Sequence, residues 1–195
     1  MWFLPPMIGA DGAKELILVA QETTLYGVDL YGKKALPELL SKLCEIEGPE
    51  WIRLLYCYLE EITDELIAVM KEQPKICRYL DLPIQHASDT VLKRMGRRTD
   101  KKELMALIRK LRRELPGIVL RTSLITGFPG ETEEEHKELL AFVERMRFDR
   151  LGVFTYSKEE NTPAAKMKGQ VTAKEKRRRQ KEIMKLQQKI AFENA

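Results

Sequence analysis

An apolar segment over residues 118–125 leads into a Gly-Phe-Pro-Gly turn and then directly into a predicted helix start. Such a turn exposes backbone N–H groups, and its glycines, Gly127 and Gly130, let a ligand approach the main chain because they carry no side chain. Two charged residues, Arg121 and Glu131, flank the turn. The combination predicts a ligand site at the end of this strand.

Polar side chains also follow other predicted strands. Gln21 and Glu22 follow the first strand, Gln85 and His86 follow the third, and Ser123 lies within the fourth. In folds that alternate parallel strands with helices, working residues lie just past the carboxyl ends of the strands. The set contains mostly neutral hydrogen-bonding groups, one cation and one helix N-terminus. It suits a polar, partly anionic small molecule such as a nucleoside-bearing cofactor.

The same residues argue against hydrolysis, because no Ser/His/Asp arrangement and no pair of histidines at metal-ligand spacing stands out. His86 is as consistent with a general base as with an imidazole hydrogen-bonded beside a loop. Gln21 and Gln85 are as consistent with ligand contacts as with loop caps. His136 lies among glutamates of a predicted helix, and we predict that it is solvated. Arg121 lies inside an apolar strand, where its charge requires a partner.

The elements that must position these residues alternate between strand and helix. Short apolar runs rich in branched residues predict strands, and leucines at helical spacing behind capping boxes at Asp100-x-x-Glu103 and Thr132-x-x-Glu135 predict helices. Thr63 and Ser88 are the predicted caps of two further helices. The predicted buried stripes are Leu139, Phe142, Val143 and Met146 in the helix after Thr132, and Ile183, Leu186 and Ile190 in the last helix.

The predicted strands cover residues 14–20, 51–56, 79–84, 118–125 and 151–156. Connections long enough for right-handed crossovers indicate parallel strands. Because five strands cannot close an eight-stranded barrel, we predict an open, partial barrel of the α/β class, or a fragment of a larger one.

The composition is that of a globular chain, with 195 residues, 44% hydrophobic and 33% charged. No apolar run approaches the roughly 20 residues that span a bilayer. The apolar opening lacks a basic leader and a cleavage site, so we predict a cytoplasmic location. Residues 166–195 carry ten Lys or Arg against three Glu. This basic segment predicts contact with RNA or an acidic partner, although a solvated helix face explains it as well.

The three cysteines, Cys44, Cys57 and Cys77, are widely separated. Their odd number and their spacing match neither a disulfide framework nor a C-x-x-C metal pair. We predict that all three are small buried hydrophobic residues in a reducing compartment.

Six segments together resemble the methylthiotransferase branch of the radical S-adenosylmethionine (SAM) enzymes. They are residues 16–27, 51–58, 79–86, 92–98, 120–132 and 148–157. The Gln-His pair at 85–86 and the run Phe-Asp-Arg-Leu-Gly-Val-Phe at 148–154 favour enzymes that methylthiolate an aspartate of a small-subunit ribosomal protein. Enzymes that modify a tRNA adenosine are the alternative.

The resemblance implies a partial TIM-like radical SAM barrel over residues 12–169, preceded by a non-matching segment at 1–11. It implies that the basic helix at 170–195 leads towards a small RNA-binding domain (TRAM) that these residues do not include. SAM and 4Fe–4S clusters are the implied cofactors, and a ribosomal protein or the ribosome is the implied partner.

The resemblance also implies roles for single residues. Gln21 and Glu22 match a segment that faces SAM, and Gln85 matches the strand end on the ribose side, next to His86. Polar positions of the following strand correspond to Arg121 and Ser123. The remaining correspondence is the adenine-side turn, which runs from Gly127 through Gly130 to Glu131.

The cluster cysteines of the family lie in a C-x-x-x-C-x-x-C motif that would precede residue 12, whereas residues 1–10 contain no cysteine. We therefore expect a fragment without the first strand and the cluster loop, without metal ligands or catalytic residues of its own, and inert alone. Two other hypotheses stay open: a non-catalytic module that binds RNA or the ribosome, and an ordinary (β/α) enzyme that binds a phosphorylated metabolite.

Overall fold

The computed structural model describes residues 12–194, so the predicted non-matching segment at 1–11 lies outside the described residues. The chain divides into two compact units. The first comprises the residues up to Leu82 together with Lys110–Val119, and the second comprises Pro83–Arg109 and Leu120–Ala195. None of the described helices is both long enough and apolar enough to cross a membrane.

The first unit is built on three parallel strands. Its elements are β1 (Glu15–Leu18), α1 (Val28–Tyr31), α2 (Leu36–Cys44), β2 (Trp51–Leu54), α3 (Asp64–Glu72) and β3 (Ile76–Asp81), with 3₁₀ turns at Thr23–Leu25 and Leu59–Glu61. β1 pairs with β2, and β2 pairs with β3, in parallel register. The helix α2 packs against α3.

The helices α2 and α3 begin where the sequence predicts, whereas α1 lies in a segment that the sequence predicts as a loop. The Thr63 hydroxyl accepts a hydrogen bond from the backbone N–H of Leu66 at 3.2 Å, which caps α3 as predicted. β3 ends at Asp81, before the predicted end at residue 84. Leu82 and Ile84 are nevertheless buried. The apolar pattern records burial, and a buried loop carries the same pattern as a paired strand.

The second unit contains two parallel strands and the longer helices. Its elements are α4 (Asp89–Arg94), α5 (Lys101–Glu114, whose last residues belong to the first unit), β4 (Val119–Thr126), α6 (Glu133–Met146), β5 (Arg150–Thr155), α7 (Pro163–Lys166) and α8 (Ala173–Glu193). β4 pairs with β5 in parallel, from Arg121 opposite Arg150 to Thr126 opposite Thr155. α8 packs against β5 and α6. The predicted α/β class with parallel strands is therefore confirmed.

The strand β4 separates a buried face from a partly open one. Its burial alternates strictly along the strand, as expected for side chains that point to opposite faces. Leu120, Thr122, Leu124 and Thr126 are buried on one face. Arg121 and Ser123 lie on the other face and are half-buried. The alternation places both predicted site residues of β4 on the same side.

Both predicted capping boxes are present. At the start of α6, the Thr132 hydroxyl accepts from the Glu135 N–H at 3.2 Å, and the Glu135 carboxylate accepts from the Thr132 N–H at 2.8 Å. Asp100 and Glu103 form the same reciprocal pair before α5. Ser88, which we predicted to cap α4, makes no side-chain hydrogen bond to that helix. The Ser88 side chain is buried.

Replacing Thr132 by Ala should lower the free energy of unfolding by about 1 kcal/mol, because the N–H of Glu135 loses its acceptor. Thr132→Ser keeps the hydroxyl and is the matched control. Urea denaturation of the two variants measures the difference. An alanine variant as stable as the serine variant would show that the capping box does not stabilise α6.

Candidate functional site

The turn between β4 and α6 closes around the carboxylate of Glu131. Its Oε2 atom accepts from the backbone N–H groups of Gly127 at 2.5 Å and Phe128 at 3.0 Å, and the Thr126 hydroxyl donates to Oε1 at 3.3 Å. The Gly130 N–H donates to the carbonyl of Gly169 at 2.8 Å. The prediction that this turn leaves its N–H groups open to a ligand is wrong, because the protein's own carboxylate takes the position of the anion.

The two glycines of the turn have φ angles of 73° and 77°, in the left-handed region. A Cβ atom on Gly127 would overlap the side chain of Lys176, and one on Gly130 would lie 2.6 Å from Arg94 Nη1. Arg94 donates to the carbonyl of Gly130 at 2.9 Å, and Lys176 donates to the carbonyl of Tyr156 at 2.7 Å. The room that glycine leaves is filled by two long cationic side chains.

A buried group of charged and titratable side chains surrounds Glu131. Arg179 Nη1 lies 3.0 Å from Glu131 Oε1, and the same oxygen is 3.9 Å from His86 Nε2 and 4.0 Å from His136 Nδ1. None of these four side chains is more than 5% exposed. Burial alone would raise the pKa of Glu131, but His86, Arg179 and the Gly127 N–H outweigh it and hold the pKa below its usual value.

His86 faces this carboxylate in a defined orientation. Its Nδ1 atom accepts from the backbone N–H of Ser88 at 3.0 Å, so a neutral ring carries its proton on Nε2. Nε2 is buried and has no hydrogen-bond partner among the described residues, since 3.9 Å to Glu131 is too long. The geometry supports the interpretation of an imidazole fixed beside a loop, with one nitrogen directed at a buried carboxylate.

The prediction that His136 is solvated is wrong. The side chain is fully buried, and Nε2 lies 2.8 Å from the carboxylate of Glu182 on α8. His136 shares the inner face of α6 with Leu139 and Val143, at spacings of three and seven residues. The glutamates around it in sequence occupy other faces of the helix.

Sequence reasoning also missed Arg179. It lies four residues before Ile183 on α8 and continues the buried stripe of that helix, in which Ile183 and Ile190 were predicted correctly. Leu186, predicted in the same stripe, is only half-buried, whereas Gln187 is buried. Extending the helical spacing back by one turn would have found Arg179.

Gln85, which follows β3 in the sequence, has an unusual backbone conformation. Its φ angle is 70°, a left-handed conformation that a residue with a side chain rarely adopts. Its N–H donates to the carbonyl of Ser123 at 3.0 Å, and its own carbonyl accepts from the Ile125 N–H at 2.7 Å. These bonds fix Gln85 against β4, next to the half-open face.

Two side chains at this point retain free hydrogen-bonding groups. The amide of Gln85 and the hydroxyl of Ser123 make no hydrogen bond within residues 12–194, and both residues are half-buried. Arg121 lies two residues before Ser123 on the same face of β4. The structure thus brings Gln85, Ser123 and Arg121 together as groups that a polar ligand can reach.

Gln21 and Glu22 lie in the first unit, whereas the other seven predicted site residues lie in the second. The Glu22 carboxylate accepts from the backbone N–H groups of Thr24 at 2.9 Å and Tyr58 at 3.0 Å. Partial burial raises the pKa of Glu22, against the lowering effect of these hydrogen bonds. Glu22 therefore holds its own loop, while the side chain of Gln21 is exposed and makes no hydrogen bond in the described part of the chain.

The cysteines are free thiols in different surroundings. Cys57 is fully buried, and burial raises its pKa to about 12, with Glu22 and Asp81 adding to the effect. Cys44 and Cys77 are only half-buried, so the prediction of three buried cysteines holds for Cys57 alone. Cys44 ends α2 and Cys77 lies on β3. Between residues 12 and 194, no three His, Cys, Asp or Glu side chains are grouped as a metal site requires.

The chain is similar in sequence to a known protein family and to named members of it. Residues 7–143 match the Radical SAM superfamily. The ribosomal protein uS12 methylthiotransferase RimO of Lachnoclostridium phytofermentans is 72% identical over 188 residues, which are 96% of this chain and 43% of that protein. RimO of Alkaliphilus oremlandii is 57% identical over 187 residues, again 96% of this chain and 43% of the relative. The chain spans less than half the length of these relatives.

Solved structures of low sequence identity share the fold. The radical SAM methyltransferase TsrM from Kitasatospora setae, with cobalamin and a 4Fe–4S cluster bound, matches 77% of this chain and 29% of its own with a TM-score of 0.59 at 18% identity. Coproporphyrinogen III oxidase HemN from Escherichia coli, a radical SAM enzyme, matches 80% of this chain and 35% of its own with a TM-score of 0.56 at 22% identity. The predicted fold, a part of a radical SAM barrel, is confirmed.

Replacing Glu131 by Gln preserves its size but removes the charge that faces Arg179. We expect the free energy of unfolding at neutral pH to fall by about 3 kcal/mol, because the buried guanidinium loses its fully buried carboxylate partner and keeps only the part-exposed Glu175 and Glu133. The pKa of Glu131 is depressed from 4.5 in the folded chain, so its contribution is present above about pH 4.5 and is lost as the pH falls through the folded pKa. Urea denaturation across this range should show the two proteins converging in acid.

Glu138→Gln is the matched control, since Glu138 lies on α6, pairs with Lys101 at 2.5 Å near the surface and is 34% exposed. This variant should lose no more than about 1 kcal/mol. Equal losses in the two variants would contradict the central role of the buried pair.

Proposed function

Because the chain belongs to the radical SAM superfamily, we propose that it binds SAM as part of a methylthiotransferase that modifies an aspartate of ribosomal protein uS12. The observation that carries this proposal is the 72% identity with a RimO methylthiotransferase over 96% of the chain. The named relatives act on a ribosomal protein, so we favour this substrate over a tRNA adenosine. The proposed partner is the small ribosomal subunit or its uS12 protein, in the cytoplasm.

The residues at the half-open face of β4 fit SAM. When bound, SAM supplies the methyl group and the adenosyl group that radical SAM chemistry uses. The free amide of Gln85 both donates and accepts, which suits ribose hydroxyls, and the Ser123 hydroxyl adds a second such group. Arg121 on the same face offers a planar cation that suits a carboxylate. We propose that these three side chains contact the cofactor directly.

The other predicted residues act differently in this proposal. Glu131 and His86 are buried within the protein, so we propose that they position the turn from Gly127 to Gly130 and do not touch SAM. Gln21 and Glu22 belong to the first unit, where the Glu22 carboxylate holds its own loop, so we assign them no contact with SAM.

The residues of this chain do not fit an iron–sulfur cluster. The sequence has three cysteines, and the high pKa of Cys57 keeps its thiol protonated and unsuited to bind iron. A cluster site needs at least three thiolates close together. We propose that residues other than these 195 supply the cluster thiolates.

Replacing Gln85 by Gly provides the sharpest test of SAM binding. Glycine adopts a φ of 70° without strain, so the free energy of unfolding should stay equal or rise by about 1 kcal/mol. Loss of the amide should weaken SAM binding about five- to tenfold, measured by calorimetry. If Gln85 serves only the backbone geometry, the variant will bind SAM as tightly as the wild type.

Ser41→Ala in α2 is the control for Ser123→Ala, because the Ser41 hydroxyl donates to the carbonyl of Pro37 in its own helix. Only Ser123→Ala should weaken SAM binding. A sugar phosphate titrated in parallel should give no heat. Heat with the sugar phosphate and none with SAM would favour the alternative enzyme that binds a phosphorylated metabolite.

Anaerobic reconstitution of the 195-residue chain with iron and sulfide should give no stoichiometric 4Fe–4S cluster, judged by iron and sulfide content per chain. A variant with Cys44, Cys57 and Cys77 all replaced by Ser should behave the same. About four irons per chain, lost in the serine variant, would contradict the proposal that the cluster thiolates lie elsewhere.

A further inference from the structure

One face of α8 carries a line of exposed cations. Lys174, Arg177, Lys181 and Lys185 follow one another at spacings of three, four and four residues, and all four are exposed. Residues at these spacings lie on the same side of a helix. At a rise of about 1.5 Å per residue, the line is about 16 Å long. We call these four residues the cationic line.

The cationic line is not neutralised by the helix that carries it. The carboxylates of α8 are engaged on other faces: Glu175 with Arg178 and Arg179, Glu182 with Arg178 and His136, and Glu193 with Arg147 and Lys189. Hydrogen bonds from Arg178 hold the pKa of Glu175 at about 2. No residue of the cationic line forms an ion pair with any part of the chain between 12 and 194.

The line continues into an exposed aromatic ring. Gln188 and then Phe192 follow Lys185 at spacings of three and four residues, and Phe192 is 77% exposed. Beside the line, Met184 is 43% exposed and borders a shallow groove of about 530 Å³. Arg150 borders the same groove and adds a cation. An aromatic ring thus stands in line with four unpaired positive charges.

We infer that this face of α8 binds single-stranded RNA, with phosphates along the cationic line and a base stacked on Phe192. Fixed cations that follow a backbone, together with an aromatic ring that accepts any base, are the two features that single-strand binding requires. An acidic peptide would use the charges but has no use for the ring. A membrane surface would need a continuous apolar face, which this face of α8 lacks. The inference goes beyond the proposed function and does not depend on SAM binding.

The experiment is fluorescence anisotropy of the full 195-residue chain with a labelled oligouridylate that is long enough to span the line, without SAM. Four phosphate contacts predict that the logarithm of the binding constant falls with the logarithm of the salt concentration with a slope of about −3. Lys181→Gln with Lys185→Gln should reduce the slope by about 1.4. Phe192→Ala should weaken binding between about fivefold and about a hundredfold.

The matched control is Lys102→Gln with Arg109→Gln, which removes two exposed cations from α5 that have no ion pair in the described chain. This variant should leave both affinity and slope unchanged. Far-ultraviolet circular dichroism establishes that each variant is folded. The Phe192→Ala variant should bind an abasic oligomer as well as the wild type does, because the abasic strand has no base to stack.

Three results would overturn the inference. One is equal loss of binding in the α5 control, which would mean that only net charge matters. Another is competition by polyglutamate as effective as that by RNA, which would assign the face to an acidic protein. The third is unchanged affinity in Phe192→Ala. SAM calorimetry on the same variants should give wild-type affinity, so failure of this inference leaves the proposed function standing.

Discussion

The contact between Glu131 and Arg179 links two parts of the second unit: the turn after β4 and the helix α8. The carboxylate fills the turn after β4 with hydrogen bonds from two backbone N–H groups, and the guanidinium from α8 neutralises it at 3.0 Å. A buried carboxylate without this partner would be costly to desolvate. The shape of the turn therefore depends on the position of α8.

This arrangement assigns charged and neutral residues to different tasks. The carboxylates of Glu131 and Glu22 each accept hydrogen bonds from backbone N–H groups and so hold a loop in place. The side-chain amide of Gln85 and the hydroxyl of Ser123 hold no loop in this way and make no hydrogen bond within residues 12–194. The two carboxylates are thus satisfied within the protein, whereas the two neutral groups keep their hydrogen-bonding capacity for a ligand. The left-handed backbone of Gln85 is consistent with this division, since strained residues concentrate at binding sites.

The helix α8 uses charge in two opposite ways. Its inner face buries Arg179 and directs Glu182 at His136, which ties the helix to α6 and to the turn. Its outer face leaves cations without partners, in line with Phe192. The basic composition of residues 166–195 therefore mixes cations that hold the second unit together with cations that face solvent. Net charge alone does not separate the two.

Local sequence determined much of this protein. The capping boxes at Asp100 and Thr132, the strand β4 and the stripe of α6 each depend on residues a few positions apart, and each was predicted correctly. The characteristic segments identified the family and with it the parallel fold. These features follow from short-range spacing, which the sequence records directly.

Only the tertiary structure decided how the charged groups pair. Arg179 and Glu131 are 48 residues apart, and His136 and Glu182 are 46 apart. A sequence lists the charges but not the distances between them after folding, and electrostatic attraction depends on those distances and on burial. For this reason Glu131 was expected to face a ligand and His136 to face water, whereas packing of α8 turned both into the interior.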